Sequence, residues 1–275
     1  MKSIPAFRWT SGSIRAALGA AMLFASGCAT PCRTSARSDA LTQVSVINAL
    51  LAGDYAGGMK CGDLTQYGDF GLGTFDALDG EMAVLDGRVY AIRSDGRVRE
   101  VNPSERTPFA AVTFFDADEE FDLIACNQPK LQEQLQARLP SENWFYAIRI
   151  RGTFDYVKTR SVPRQAPPYR PLAVVVQDQV TFEFRNVEGE LLGFWTPAYA
   201  KSFNAPGWHF HFMAKDRSGG GHLLDVRVRA GRAQVDRISE LVVKLPATES
   251  FLKTDLAPDR GAELHRAETD PARAR

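Results

Sequence analysis

Between residues 75 and 100 three acid–glycine dipeptides, Asp79-Gly80, Asp86-Gly87 and Asp95-Gly96, punctuate short runs such as 82–85 and 89–92. Acid–glycine pairs adopt the positive-φ turns that join neighbouring antiparallel strands, and the runs between them are short enough to be such strands. The segment reads as an antiparallel meander. Further strand patterns occur at 110–115, 144–150, 173–176, 180–184, 191–195, 209–213, 222–228 and 241–245. Two segments read as helices. After Ser38-Asp39, residues Leu41, Val44, Ile47, Leu50 and Leu51 recur at helical spacing up to Gly53, and the second helix runs to Leu139 from a cap at Asn127 with Pro129 in its first turn. The fold class is α+β, with two β-rich, mostly antiparallel sheet units and a few helices.

An internal echo bears on the grouping of the strands. Phe75 to Met82 and Phe184 to Leu191 share the order Phe, two variable residues, aliphatic, acid, Gly, Glu, apolar, 109 positions apart. This pattern predicts an N-terminal β-rich domain over 38–165 and a C-terminal one over 166–275, the latter ending in a polar tail.

The N-terminus has a different character. Lys2, Arg8 and Arg15 precede an apolar run over 16–25 that is too short to span a membrane, which takes about 20 residues. It has the form of an export signal over 1–27, followed by a tether over 28–37. Ala25-Ser26-Gly27-Cys28 resembles a bacterial lipoprotein box, so Cys28 is expected to carry lipid as the chain's one link to a membrane. Plain secretion with cleavage near Ala25 or Ala29 is the alternative. Either way the protein is expected outside the cytoplasm, in the periplasm, at the cell surface or secreted. Cys61 and Cys126, the cysteines of the folded part, are expected as two buried thiols, although export would permit a disulfide.

Composition removes one class of partner. Lys and Arg number 33 and Asp and Glu number 33, without a basic stripe, so no field exists to hold a nucleic acid. A small-molecule partner fits better, because three of the four histidines lie within 14 residues. In a strand, side chains two apart leave by one face, so His209 and His211 point together while Trp208, Phe210 and Phe212 point the other way. The segment 216–221, Asp-Arg-Ser-Gly-Gly-Gly, is turn chemistry that brings His222 back on the next strand. Three neutral imidazoles converging with coordination positions left open are the donor set of a catalytic zinc, and they also suit copper, iron or nickel. His265, in the polar tail, is expected at the surface.

Several stretches resemble one family. Gly68-Asp69-Phe70-Gly71-Leu72-Gly73-Thr74-Phe75 with Leu78-Asp79-Gly80-Glu81 is similar to the N-terminal signature of the α-acetolactate decarboxylases. Agreement continues through Phe145-Tyr146-Ala147-Ile148-Arg149-Ile150, Thr159-Arg160, Gly193-Phe194, Thr196-Pro197-Ala198-Tyr199, Gly207-Trp208-His209-Phe210-His211-Phe212 and Gly220-Gly221-His222. The resemblance implies a zinc-dependent decarboxylase that turns (S)-2-acetolactate into (R)-acetoin and carbon dioxide, in two β-rich domains and as a homodimer. It implies His209, His211 and His222 as metal ligands, Glu81 and Arg160 as catalytic residues, and Thr74 with Arg160 against the substrate. A second glutamate near the chain end falls on Glu268, with Glu263 as the other alignment.

The chemistry agrees with this set. Loss of carbon dioxide from a 2-hydroxy-3-keto acid leaves an enediolate whose charge needs stabilisation where it develops, and a metal serves as that electron sink. An arginine fork holds a carboxylate by two bonds, and a carboxylic acid can return the proton. Two other readings share the residues: a metal-dependent hydrolase, and an exported zinc-binding lipoprotein without catalysis.

Overall fold

The structure, a computed structural model, describes residues 39–268; the expected signal over 1–27, the tether over 28–37 and Cys28 lie outside the described residues. Two large sheets organise the rest. The first runs in the order Glu240–Lys244, Ala40–Val44, Ala110–Thr113, Phe70–Thr74, Glu81–Leu85, Arg88–Ile92, Val98–Glu100. Each neighbour is antiparallel except the first pair, in which Ala40 stands beside Glu240 and the strands run parallel. The acid–glycine turns act as expected: Gly80, Gly87 and Gly96 all have positive φ, at 87°, 75° and 81°.

The second sheet is built on long strands, Phe145–Ser161, Val180–Thr196 and Gly220–Ile238, together with Gly207–Ala214. Gly207–Ala214 pairs with both Val180–Thr196 and Gly220–Ile238, which closes these four strands into a ring. Glu119–Leu123 and Cys126–Asn127 add to Gly220–Ile238, and the helix Gln128–Gln136 follows, capped by the Asn127 side chain accepting from the Lys130 amide. Leu131 and Leu135 of that helix pack with Ile148, Phe154 and Val226 inside the curved sheet. On the opposite face, Phe145, Ala147, Leu192 and Phe194 meet Leu41, Phe70, Leu72 and Tyr90 of the first sheet. Each large apolar side chain buried here contributes roughly 2 kcal/mol.

Chain order and sheet grouping differ. The boundary expected between residues 165 and 166 falls in the link between Phe145–Ser161 and Val180–Thr196, two adjacent strands of one sheet, and Glu240–Lys244 returns to the first sheet. The echoing segments take different conformations. Residues 75–82 contain the tight turn Asp76–Leu78, with Ala77 and Leu78 at positive φ, whereas 184–191 lies inside Val180–Thr196.

Four local expectations are corrected. Residues 40–44 form a strand, and only Ile47–Leu51 is helical. Strands flank this segment on both edges and all five of its residues are buried, so it shows no alternation, and Ser45, with φ 63°, breaks the chain before the helix. Residues 173–176, expected as a strand, lie in the helix Leu172–Val175 and the turn after it; a four-residue apolar run does not distinguish the two states. The tail beyond residue 260 forms the helix Gly261–Glu268, on which His265 is exposed as expected. Cys61 and Cys126 are both free; Cys61 is buried, and Cys126 is half-buried rather than enclosed.

Candidate metal centre

Packing of the second sheet sets the direction of the histidines. Phe210 and Phe212 point into its interior, where Phe212 meets Phe154 edge-on with ring centroids 5.5 Å apart and Trp208 stacks on Phe210. His209 and His211 therefore leave by the face turned to the first sheet. His222 stands directly opposite His211 in the pairing of Gly207–Ala214 with Gly220–Ile238. Gly221 makes the approach possible, since its φ is 132° and a Cβ there would lie 2.3 Å from the Arg160 carbonyl oxygen. One ring nitrogen from each of the three histidines lies within 4.8 Å of the others.

These imidazoles suit a metal. The His211 Nδ1 faces the Met82 carbonyl at 2.8 Å and must donate to it, which leaves Nε2 as a bare lone pair. His209 Nε2 and His222 Nδ1 face each other at 3.1 Å. Burial, with the Arg160 charge adding to it, pulls the His209 pKa down to about 3 and holds His211 and His222 well below the ordinary histidine range. All three are neutral donors at neutral pH.

Around them stand the other residues singled out by sequence. Glu81 opens the strand Glu81–Leu85, is 8% exposed, and places a carboxylate oxygen 3.6 Å from His211 Nε2. Burial raises its pKa to about 7, opposed by Arg160 and assisted by Glu268. Thr74 faces Glu81 across the strand pair. Arg160, one residue from the end of Phe145–Ser161, is paired beside His222 and is 5% exposed. Its Nη1 donates to the Gln179 side-chain oxygen at 3.2 Å, while its buried Nε has no hydrogen-bond partner among the described residues.

The C-terminal helix turns the two tail glutamates in different directions. Leu264 and Ala267 turn inward, and Glu268, four residues after Leu264, follows the same face and comes within 3.6 Å of His222 Nε2. Burial raises its pKa as well, against the pull of Arg160. Glu263 instead pairs with Arg260 at 2.9 Å.

Thr74, Glu81, Arg160, His209, His211, His222 and Glu268 all line one cavity, whose space, including the part open to solvent, is about 470 Å³. Its other wall is apolar, made by Ile47, Leu50, Leu78, Phe109, Leu172 and Val176. Sequence reading missed this wall and Gln179. The wall residues look like any others of the core, and a single glutamine before a strand gives no signal. Together the two walls make a small, partly apolar chamber with three histidines that could hold a metal ion, a buried arginine and two carboxyls of raised pKa. Such a chamber can bind an anionic, oxygen-rich small molecule and move a proton within it.

Comparison with known proteins gives a consistent result. The sequence pattern of the alpha-acetolactate decarboxylases matches residues 41–258. The alpha-acetolactate decarboxylase of Methanosarcina mazei is 48% identical over 232 residues, which cover 84% of this chain and 81% of that protein. That of Klebsiella aerogenes is 43% identical, covering 78% and 84%. The crystal structure of alpha-acetolactate decarboxylase from Bacillus subtilis strain 168 superposes with a TM-score of 0.82 at 36% identity, over 84% of this chain and all of that one. By sequence along most of its length and by fold, the chain belongs to the α-acetolactate decarboxylase family.

Proposed function

We propose that the protein decarboxylates (S)-2-acetolactate to (R)-acetoin and carbon dioxide with the help of a zinc ion. The observation that carries the reading is the meeting, in one cavity, of three neutral imidazoles, a buried arginine whose Nε has no partner among the described residues, and two carboxyls of raised pKa. Zinc fits the donor set, since His209, His211 and His222 offer three uncharged nitrogens and His211 is locked in the tautomer that presents Nε2. A bound zinc ion supplies a Lewis acid for the charge that develops at the substrate's vicinal oxygens.

The protein's own groups account for the remaining steps. Arg160 takes the substrate carboxylate, and its burial makes those charge-assisted bonds strong until carbon dioxide departs. The apolar wall receives the alkyl group and excludes water that would otherwise protonate the product at random. Glu81, whose raised pKa keeps a proton available near neutral pH, delivers it to one face of the carbon that lost carbon dioxide. Glu268 stands on the other histidine as the second carboxyl, and Thr74 borders the substrate.

Incubation of zinc-loaded protein with racemic acetolactate tests the proposal. Acetoin of one hand should accumulate from one substrate enantiomer. Ester hydrolysis without acetoin would move the site to a metal-dependent hydrolase, and metal binding without turnover would leave a zinc-binding protein. Elemental analysis should find about one zinc per chain and none in His211→Ala.

We further propose that the chain is exported and that Cys28 carries lipid after removal of residues 1–27, from the basic, apolar and small-residue order of that segment. Mass spectrometry of the mature N-terminus decides; an unmodified start elsewhere rejects the lipid.

A further inference from the structure

The guanidinium of Arg160 has a hydrogen-bonded edge and a waiting one. Its Cα is fixed, because Phe145–Ser161 pairs on both sides at this point, with Thr181 and with His222 as the neighbours of Arg160. The side chain alone is left to choose an orientation. Nη1, the terminal nitrogen on the Cδ side of the group, donates to Gln179 Oε1 at 3.2 Å. What remains is the edge formed by Nε and Nη2, two parallel N–H donors matched to the two oxygens of a carboxylate. Nε is buried and lacks a partner among the described residues, a costly arrangement unless a ligand supplies the acceptor.

Gln179 sits outside the cavity lining but at a decisive joint. It follows the turn Val176–Asp178 and precedes the strand Val180–Thr196, and its backbone N–H donates to the Val176 carbonyl at 3.3 Å. Val176 and Leu172 from the same segment form part of the apolar wall. One short stretch of chain thus shapes the space for the alkyl group and orients the arginine.

We infer that Gln179 is a positioning residue that selects for 2-hydroxy carboxylates, holding Nη1 of Arg160 so that the Nε–Nη2 edge faces the substrate carboxylate. The inference rests on the reading that Arg160 binds that carboxylate. Without the carboxamide oxygen, the guanidinium can rotate its two-donor edge away, and the carboxylate then meets one donor instead of two.

Calorimetry with two unreactive probes separates this role from a structural one. 2-Hydroxyisobutyrate carries the hydroxyl and carboxylate but no ketone, and acetoin lacks the carboxylate. In zinc-loaded protein, Gln179→Leu and the shorter Gln179→Asn should each weaken 2-hydroxyisobutyrate roughly five- to tenfold, the worth of about one hydrogen bond. Acetoin affinity should not change. In an Arg160→Met background, Gln179→Leu should cost nothing further. Equal losses for both probes, or an undiminished loss in the Arg160→Met background, would overturn the inference. Should Arg160→Met weaken 2-hydroxyisobutyrate while both Gln179 variants bind it normally, Gln179 has no such role and the carboxylate site stands. If Arg160→Met leaves that probe unaffected, the carboxylate assignment itself falls, and this inference with it.

Discussion

Thr74 and Glu81 face each other across paired strands, and the Thr74 hydroxyl donates at 2.8 Å to the carbonyl of Gly80, the residue before Glu81. The bond ties the Asp79-Gly80 turn to its neighbouring strand, so the Glu81 carboxyl is held from behind. Thr74→Val keeps the shape and removes the donor, leaving the Gly80 carbonyl unpaired in a buried place. Stability should fall by about 1 to 2 kcal/mol, and kcat by roughly tenfold, as a slight misplacement of Glu81 would produce. Zinc content should not change, and elemental analysis beside steady-state kinetics checks both.

Glu81 offers a sharper test. Glu81→Gln preserves size and the contact with the His211 edge but carries no transferable proton. Zinc should remain bound while kcat drops by roughly two to four orders of magnitude. The residual acetoin should lose its single handedness, because the proton then comes from water. Chiral chromatography of the product reads this, and a near-normal rate with intact stereoselectivity would point to Glu268 as the donor.

The tail glutamates separate cleanly. Glu268→Gln should lower turnover at least tenfold with the fold intact, since its carboxyl faces His222 inside the cavity. Glu263→Gln breaks only a partly exposed pair with Arg260 and should change stability by less than about 1 kcal/mol and activity not at all. Parallel melting curves and kcat measurements compare the two.

A pH effect on stability comes from a carboxyl far from the histidines in the sheet pairing. Asp236, opposite Ala147, is 4% exposed and accepts from the Asp116 amide at 3.3 Å. Burial, with Asp118, Asp39 and Asp116 nearby, raises its pKa to about 7. The folded chain therefore keeps a proton that the unfolded chain releases near pH 4, so this group makes stability fall as pH rises from about 4 to about 7. Asp236→Asn should stabilise the protein by about 2 to 4 kcal/mol at pH 8, with the gain shrinking towards pH 4. Urea unfolding at pH 5 and pH 8 checks the sign.

Sequence made some of this site legible and hid the rest, for physical reasons. The period of two in a strand is rigid enough that His209 and His211 had to share a face, and the glycine-rich turn had to return His222 beside them. Glu81 was marked by the turn before it, which demands glycine at Gly80. Residues 40–44 misled because a strand buried on both faces shows no alternation, and its apolar spacing matched a helix by chance. Leu172 and Val176 gave no hint of a cavity, since a wall around empty space and a wall around other side chains use the same residues. Gln179 acts through Arg160, 19 residues before it on the neighbouring strand, a contact that no residue pattern along the chain expresses.

The parallel pairing of Ala40–Val44 with Glu240–Lys244 brings the first strand and the last strand of the described chain together at a single sheet edge. A ribosome releases the second of these strands about 200 residues after the first, and the helix bearing Glu268 comes later still. During synthesis the histidines can meet, but the cavity lacks its second carboxyl until the helix Gly261–Glu268 is free. Contacts so distant in sequence are slow to form. Activity should therefore appear after the bulk of the β-structure in a refolding experiment, with a lag set by docking of the helix Gly261–Glu268 rather than by assembly of the metal ligands.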